Sequence, residues 1–371
     1  MEFTVSKTDL ARELILSQSI VDKKTTIPIL SNVLLEAAGD RVVITATDLE
    51  LGIQSSCPAR VQKAGSGTIP ARRLMDYVGL LPEADVHVKF LENQWASLVC
   101  GRSRTRIAGI SAESYPELPT MPEALAELPL GTLAALINRT VFAISTEDSR
   151  FTLGGALLIL KESGLAMVST DGHRLAYVET ARPVEGVLGT YRALVPRKAM
   201  LEIQKVAQEA PPDAKVRFAG SDNHLFFQTG ERLLICRKLT GNFPDFERVL
   251  PKEHPHSVVL PREEFRTAVQ RVQLFSDERS RAVRVQMCPG ELKVHSSISE
   301  TGESEESLPT EYGGPVIEIT FNAHYLVDFL RATPNQEVEL RFRDQQNAGE
   351  LNPSGEPADL LYRYIVMPMR V

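Results

Sequence analysis

The sequence predicts an α+β fold built from three similar domains. Two observations lead to this prediction: a pattern repeats along the chain, and each repeat alternates between helical and strand periodicity. Pro70, Pro196 and Asn322 open equivalent helical segments and lie 126 positions apart. This period far exceeds the roughly 20 to 50 residues of solenoid repeats. Each copy is therefore long enough to bury a core of its own.

The first repeat begins with a helix, because Leu10, Leu14, Ser17 and Val21 follow helical spacing. A second helix is predicted at 72–80. Alternating apolar residues separated by turns predict strands at 33–37, 41–45, 86–90, 95–99 and 104–107.

The second and third repeats follow the same plan. Helices are predicted at 133–144, 197–208, 262–274 and 323–331. Strands of the second repeat are predicted at 155–161, 165–169, 214–219, 225–229 and 232–238. In each repeat the second strand is expected to end in a polar turn, at 45–49, 168–172 and 295–299. Two helices laid on antiparallel strands in every repeat give the α+β class.

The domain boundaries are predicted where proline becomes frequent and hydrophobic periodicity stops. The segments 115–122 and 243–255 have this character. They divide the chain into three domains, 1–122, 123–252 and 253–371.

Composition predicts a cytoplasmic protein. Of 371 residues, 43% are hydrophobic and the mean hydropathy is -0.11. No apolar run approaches the roughly 20 residues that span a bilayer, and the amino terminus lacks the pattern of a signal peptide. The cysteines Cys57, Cys100, Cys236 and Cys288 lack paired zinc-ligand spacing. They are expected to be free thiols, and neither a metal nor another cofactor is expected.

The net charge of -7 argues against an overall basic surface that coats itself with nucleic acid. Much of the acid lies in 300–306, which is interpreted as an outer loop. Basic residues recur instead on or beside the predicted helices of all three repeats. The pattern favours one locally positive face, with ordinary solvated helix surfaces as the alternative.

Several motifs together make the chain similar to a known family along its whole length. They are the segments 26–32, 47–50, 70–72, 101–104, 170–176, 195–198, 243–246, 248–251 and 364–370. The turn Thr170-Asp171-Gly172-His173-Arg174 and the terminal Tyr364-Ile365-Val366-Met367-Pro368-Met369-Arg370, found together, are the most specific. The chain resembles the bacterial sliding clamps, the beta subunits of DNA polymerase III.

The resemblance implies a processivity factor of DNA replication, without catalysis of its own. Three clamp-type domains would close head-to-tail as a homodimeric ring around double-stranded DNA, without reading its sequence. The implied DNA-binding residues are Lys24, Arg73, Arg150, Phe151, Arg197, Lys198, Arg279, Arg281 and Arg284. The implied apolar residues of the dimer interface are Ile107, Leu274 and Phe275.

The resemblance also implies a peptide-binding groove between domains two and three. Its residues would be Leu153, Thr170, Gly172, His173, Arg174, Leu175, Pro244, Arg248, Val249, Asn322, Tyr325, Ile365, Val366, Met367, Pro368, Met369 and Arg370. The implied partners are the alpha subunit of the replicative polymerase, the clamp loader, translesion polymerases, and repair and ligation factors. Each would bind through a short linear peptide.

Two other functions stay open at the level of the sequence. His173 and Asp171 could form a catalytic pair, although no nucleophile accompanies them. Alternatively, the chain could be a clamp-like scaffold that binds peptides without threading DNA.

Overall fold

The structure is a computed structural model that describes residues 1–21, 26–147, 149–180, 183–184, 187, 189–298, 302–355 and 360–370. Lys24, one of the expected DNA contacts, lies outside these residues. The chain forms two compact units. The first comprises Met1–Ala134 and Lys198–Lys238, and the second comprises Ala135–Arg197 and Leu239–Val371.

The described residues form six α-helices, two in each sequence repeat. They are α1 (Lys7–Gln18), α2 (Ala71–Leu80), α3 (Leu130–Thr140), α4 (Arg197–Glu209), α5 (Arg262–Gln273) and α6 (Ala323–Ala332). All six predicted helices are confirmed. The prediction for α3 ran too far, because the helix gives way to a 3₁₀ turn at Val141–Ala143. The hydroxyl of Thr140 bonds back to the carbonyl of Leu136 at 2.8 Å, a contact that commonly disturbs helices.

The described residues also form 24 strands. In the first repeat these are β1 (Glu2–Ser6), β2 (Asn32–Ala38), β3 (Arg41–Thr47), β4 (Leu51–Lys63), β5 (Gly65–Pro70), β6 (Asp85–Phe90), β7 (Trp95–Cys100) and β8 (Ser103–Ala108). In the second they are β9 (Ala126–Pro129), β10 (Gly155–Lys161), β11 (Gly164–Thr170), β12 (Arg174–Thr180), β13 (Tyr191–Pro196), β14 (Lys215–Gly220), β15 (His224–Thr229) and β16 (Arg232–Arg237). In the third they are β17 (His256–Pro261), β18 (Ala282–Cys288), β19 (Glu291–Ile298), β20 (Gly302–Pro309), β21 (Ile317–Asn322), β22 (Glu337–Phe342), β23 (Gly349–Ser354) and β24 (Leu360–Val366).

The first unit contains one 12-stranded sheet. Its main path runs β8-β7-β6-β1-β4-β16-β15-β14-β9, and β2, β3 and β5 join through β4. The long strand β4 pairs antiparallel with β1, β3 and β16, so it holds the sheet together. Among the described residues, strand β8 forms one edge of this sheet.

The second unit contains two antiparallel sheets. One runs β13-β10-β11-β12-β24-β23-β22-β17 and the other runs β20-β19-β18-β21. Helices α5 and α6 pack together, and α5 also contacts β19 and β20. The pairing of β12 with β24 joins the middle of the chain to its last strand. This pairing positions the candidate site described below.

The third repeat corrects two sequence expectations. Of the outer loop expected at 300–306, residues 302–306 belong instead to the edge strand β20 (Gly302–Pro309), and 299–301 lie outside the described residues. Residues 295–298, expected in a polar turn, continue strand β19. Glu303, Glu305 and Ser307 lie on the exposed face of β20, and Glu306 on the other face is paired with Arg271 of α5 at 2.6 Å. A solvated acidic face is thus compatible with regular strand pairing.

The cysteines are free thiols, and three of them are buried. Burial raises the pKa of Cys57 and of Cys236 to about 12. These thiols therefore act as small apolar residues of the core. In the part of the chain that the structure describes, no helix is long and apolar enough to cross a membrane.

Candidate functional site

The second unit contains a cavity of about 120 Å³ with a largely apolar lining. Its walls come from four separate stretches of the chain: the 3₁₀ turn Phe151–Leu153, the end of β11 with the start of β12, the segment after β16, and the end of β24. The lining residues are Leu153, Thr170, Gly172, His173, Arg174, Leu175, Pro244, Phe246, Val249, Ile365 and Met367.

Strand register brings two of these stretches together. Arg174 pairs with Val366, and Leu175 pairs with Ile365, across β12 and β24. The turn before β12 therefore meets the chain that follows β24. The amide of Met367 donates to the carbonyl of His173 at 2.9 Å, so Met367 is held at the cavity.

The turn between β11 and β12 is fixed by its own hydrogen bonds. The Asp171 Oδ1 atom accepts from the amides of His173 and Arg174 at 2.9 and 3.0 Å. Thr170 Oγ1 accepts from the amide of Gly172 at 3.0 Å. Gly172 has φ of +89°, a conformation that other residues adopt only with strain. The cavity therefore has one rigid polar wall.

The same contacts disfavour catalysis by His173 and Asp171. Besides the two amides on Oδ1, the carboxylate accepts from Nε of Arg174 through Oδ2 at 3.0 Å. Asp171 thus caps the turn and holds an arginine, which is a structural use of its charge. A carboxylate that orients a catalytic imidazole would instead hydrogen-bond the ring.

Arg174 is the charged centre beneath the cavity, and its side chain is only 9% exposed. Nη1 donates to Asp328 Oδ2 at 2.7 Å, and Nη2 donates to the carbonyl of Phe142 at 2.6 Å. The guanidinium carbon lies 4.3 Å from the ring centre of Tyr325. Burial alone lowers the pKa of Arg174, but Tyr364 and Asp328 raise it above its usual range. The guanidinium therefore stays charged and fixed.

Phe246 is a lining residue that the sequence analysis missed. It is buried, belongs to the 3₁₀ turn Phe246–Arg248, and stacks on Tyr177 of β12 with ring centres 5.7 Å apart. The amide of Val249 donates to the Phe246 carbonyl at 3.0 Å. The sequence signal for Phe246 was an aromatic residue within a proline-rich segment. Burial of a large aromatic side chain contributes strongly to stability, so such a residue is expected to pack.

Ten of the 17 expected groove residues line the cavity, and the other seven are not among its lining residues. Tyr325 lies under Arg174, and Asn322 caps α6 by accepting from the amide of His324 at 2.9 Å. Arg248 is exposed and pairs with Asp245 at 2.7 Å. The remaining residues outside the lining are Val366, which is buried, and Pro368, Met369 and Arg370, which follow Met367.

The expected DNA contacts in the first unit are exposed cations on two helices. Arg73 lies on α2 and Lys198 lies in the first turn of α4. The ammonium of Lys198 forms an ion pair with Asp48. Part of its charge is therefore already compensated within the chain.

The expected DNA contacts in the second unit differ in how firmly they are held. Nη1 of Arg150 donates to the carbonyl of Asp171 at 2.5 Å, so this arginine also supports the cavity turn. Nη1 of Arg281 lies 2.9 Å from Nδ1 of His324. Phe151 is 76% exposed. The remaining members of this set are the exposed Arg197, Arg279 and Arg284.

The expected dimer residues are not equally accessible. Leu274 is 80% exposed, whereas Ile107 is 3% exposed and packs within its own sheet. Phe275 is partly buried and lies 3.6 Å from where a Cβ on Gly302 would be. Leu80, at the end of α2, is 88% exposed and was not predicted as an interface residue. Its position off the helix face that buries Leu74 and Val78 was a signal in the sequence.

Repeated α+β domains with a rigid apolar cavity define a binding protein. Three family models cover nearly the whole chain, those of the N-terminal, central and C-terminal domains of the DNA polymerase III beta subunit. They match residues 1–119, 127–245 and 247–370. The boundaries predicted at 122/123 and 252/253 remain predictions.

Curated relatives and solved structures agree with these models. The beta sliding clamp of Pseudomonas putida is 35% identical over 377 residues and that of Chlamydia muridarum is 32% identical over 373 residues. Both matches cover all of this chain and 100% and 99% of those relatives. The Pseudomonas aeruginosa DnaN sliding clamp solved with bound griselimycin has 33% identity and a TM-score of 0.94, with full coverage of both chains. The griselimycin-bound clamp of Bartonella birtlesii has 31% identity and a TM-score of 0.92, again with full coverage of both chains.

The chain belongs to the family of DNA polymerase III beta subunits, the sliding clamps. It is a non-catalytic processivity clamp of DNA replication.

Proposed function

We propose that the cavity formed by the 170–175 turn, Phe246 and Met367 is the groove through which this clamp captures its partners. Two copies of the chain would close into a ring around duplex DNA. A polymerase bound through a short peptide would then stay with its template. The observation that carries the proposal is the apolar cavity whose walls are set by a hydrogen-bonded turn.

The cavity chemistry fits a short peptide with apolar anchor side chains. Leu175, Ile365 and Met367 offer an apolar surface, and the flexible thioether of methionine adapts to different side chains. Recognition by a few anchors would serve several partners in turn. We include the polymerase alpha subunit, the clamp loader, translesion polymerases, and repair and ligation factors among these partners.

Opposite charges on two free sheet edges support head-to-tail closure. Strand β8 carries Arg104 and Arg106, and strand β20 carries Glu303 and Glu305. Each strand ends its sheet, so each offers unpaired backbone groups. In a ring of two copies, the basic edge of one would meet the acidic edge of the other, with exposed Leu80 and Leu274 supplying apolar area.

Enclosure explains why exposed cations suffice for DNA association. Arg73, Arg197 and Arg284 are exposed and can meet phosphates without reading bases. Such contacts weaken steeply with salt, so they permit sliding. Retention would come from the closed ring.

The groove is tested by titrating a fluorescein-labelled peptide that carries the clamp-binding segment of the replicative polymerase. Deleting Met367–Val371 should abolish binding and leave the dimer intact in sedimentation. Glu337→Ala, an exposed change on β22 outside the groove, is the control and should preserve binding. Unchanged affinity after the longer deletion would overturn the groove assignment.

A further inference from the structure

A proline-rich segment of the second unit is tied to one sheet at three points. We call residues 244–255, which connect β16 to β17, the strap. Phe246 stacks on Tyr177 of β12. The carbonyl of Pro251 accepts from Nη2 of Arg363 on β24 at 2.8 Å. Strands β12, β24 and β23 are neighbours, so the strap follows them in order.

The third tie is the buried carboxylate of Glu350 on β23, a residue only 2% exposed. Arg363 binds it with two donors, from Nε to Oε1 at 2.8 Å and from Nη2 to Oε2 at 2.7 Å. His254 of the strap lies with Nε2 3.0 Å from Oε2. Both oxygens of the Glu350 carboxylate thus accept hydrogen bonds. Arg363 is linked to the strap in two ways, through Glu350 and His254 and through the carbonyl of Pro251.

The tied segment is also a wall of the cavity. Pro244, Phe246 and Val249 of the strap line it. Glu350 itself stands directly opposite Ile365 in the pairing of β23 with β24, and Ile365 lines the cavity floor. The Glu350 cluster therefore fixes this wall relative to strand β24.

The alternative is that Glu350 only adds stability to the sheet. Burial of its carboxylate costs free energy unless its partners are in place. A buried ion pair is weak evidence for stability, because apolar residues often serve as well. One partner, His254, belongs to the strap, and the other, Arg363, also donates to the carbonyl of Pro251 in the strap. These contacts favour a role for Glu350 in placing the strap.

We propose that Glu350 is a positioning residue for the peptide groove, acting through His254 and Arg363 to hold the strap against β24. The inference rests on the proposed function of the cavity. Peptide affinity depends on the fraction of molecules whose groove is already formed. Loss of the tie lowers that fraction without removing any residue that touches the peptide.

The test compares three variants of the full-length protein with the same fluorescein-labelled polymerase peptide. Glu350→Ala removes the carboxylate shared by Arg363 and His254, whereas His254→Ala cuts only the contact between His254 and Glu350 and leaves the Glu350–Arg363 pair. Glu339→Ala is the matched control, because it removes a carboxylate from the same region without breaking the tie. Glu339 lines a second cavity with His254 and Glu350 but pairs with Arg341 on the adjacent strand β22 at 2.7 Å.

We expect Glu350→Ala to weaken binding roughly tenfold, as when about a tenth of the molecules keep a formed groove. His254→Ala should weaken it less, and Glu339→Ala should leave it unchanged. Hydrogen exchange should accelerate at the amides of Val249 and Leu250, which both donate to Phe246, in the first two variants only.

The outcomes separate this inference from the proposed function. If the unmodified protein does not bind the peptide, the groove assignment itself fails. If it binds, and His254→Ala and Glu350→Ala bind as well as Glu339→Ala with unchanged exchange at Val249, the positioning role of Glu350 is overturned.

Discussion

Arg174 on β12 donates to Asp328 on α6 across 2.7 Å, although the two residues lie 154 positions apart. The contact joins the cavity turn to a helix of the third repeat. It also leaves Arg174 with a carboxylate on either side, because Asp171 binds the same guanidinium. The polar wall of the cavity is therefore held from two directions.

Removing the charge of Asp328 should loosen that wall. For Asp328→Asn we expect the free energy of unfolding to fall by about 1.5–3 kcal/mol, the usual range for a hydrogen bond to a charged group. Peptide affinity should fall as well, because Arg174 loses one of its two carboxylate partners. Urea denaturation and peptide titration measure the two effects. Glu337→Gln, an exposed change on β22, is the control, and equal results for both variants would show that Asp328 has no special role.

The ion pair between Lys198 and Asp48 predicts a gain of DNA affinity by mutation. Asp48→Asn should keep the turn, because one oxygen still accepts from the amides of Glu50 and Leu51 at 3.0 and 2.7 Å. Lys198 is then free to meet a phosphate. The slope of log affinity against log salt should steepen by about 0.9 for one added contact.

Direct DNA binding across a salt series measures this slope. Asp40→Asn is a suitable control, because Asp40 is an exposed residue beside Arg41. A slope unchanged by Asp48→Asn would remove Lys198 from the set of DNA contacts.

The charged sheet edges predict that charge reversal on one edge weakens the dimer and that charge reversal on the other edge restores it. Replacing Arg104 and Arg106 by Glu places like charges against Glu303 and Glu305 of the second copy, which disfavours association. We expect the dimer dissociation constant to rise at least about tenfold, equivalent to 1.4 kcal/mol. Adding Glu303→Arg and Glu305→Arg to the same chain should restore the dimer.

Sedimentation at several protein concentrations follows this association. The control is Arg217→Glu on β14, an interior strand of the same sheet. A dimer that tolerates reversal of β8 alone would contradict edge pairing.

Glu350 predicts a specific dependence of stability on pH. Burial by itself raises the pKa of Glu350, but hydrogen bonds from Arg363 and His254 outweigh it and leave the pKa lowered. A carboxyl group with a lowered pKa in the folded state stabilises the fold above its unfolded pKa, near 4.5. That stabilisation is lost as the pH falls through the folded value.

The difference in unfolding free energy between the unmodified protein and Glu350→Gln should therefore be largest above pH 4.5 and shrink below it. Denaturation at pH 7 and at lower pH provides the comparison. A difference that stays constant with pH would show that the charge of Glu350 does not stabilise the fold.

Much of the fold could be predicted because helical and strand periodicity are local signals. Gly155–Lys161 was predicted at its observed bounds, and α4 was one residue short. The edge strand at 302–309 was missed, because a run of Glu and Ser residues is typical of a solvated loop, and only its pairing with β19 shows that it is a strand.

The candidate site was predictable where a continuous motif forms it and not where distant residues meet. The turn at 170–174 could be named from its motif. Asp328 and Glu350 could not, because their roles depend on partners brought close by folding. Phe246 lies between these cases, since its motif was visible but its stacking on Tyr177 was not.

The central claim is that the protein stays on DNA by enclosing it. The most direct measurement loads the protein on nicked circular DNA, isolates the complex, and then cuts the circle with a restriction enzyme. The account predicts stable retention on the circle and rapid loss from the linear product at the same salt concentration. Equal retention on circular and linear DNA would contradict enclosure and indicate binding by direct contacts.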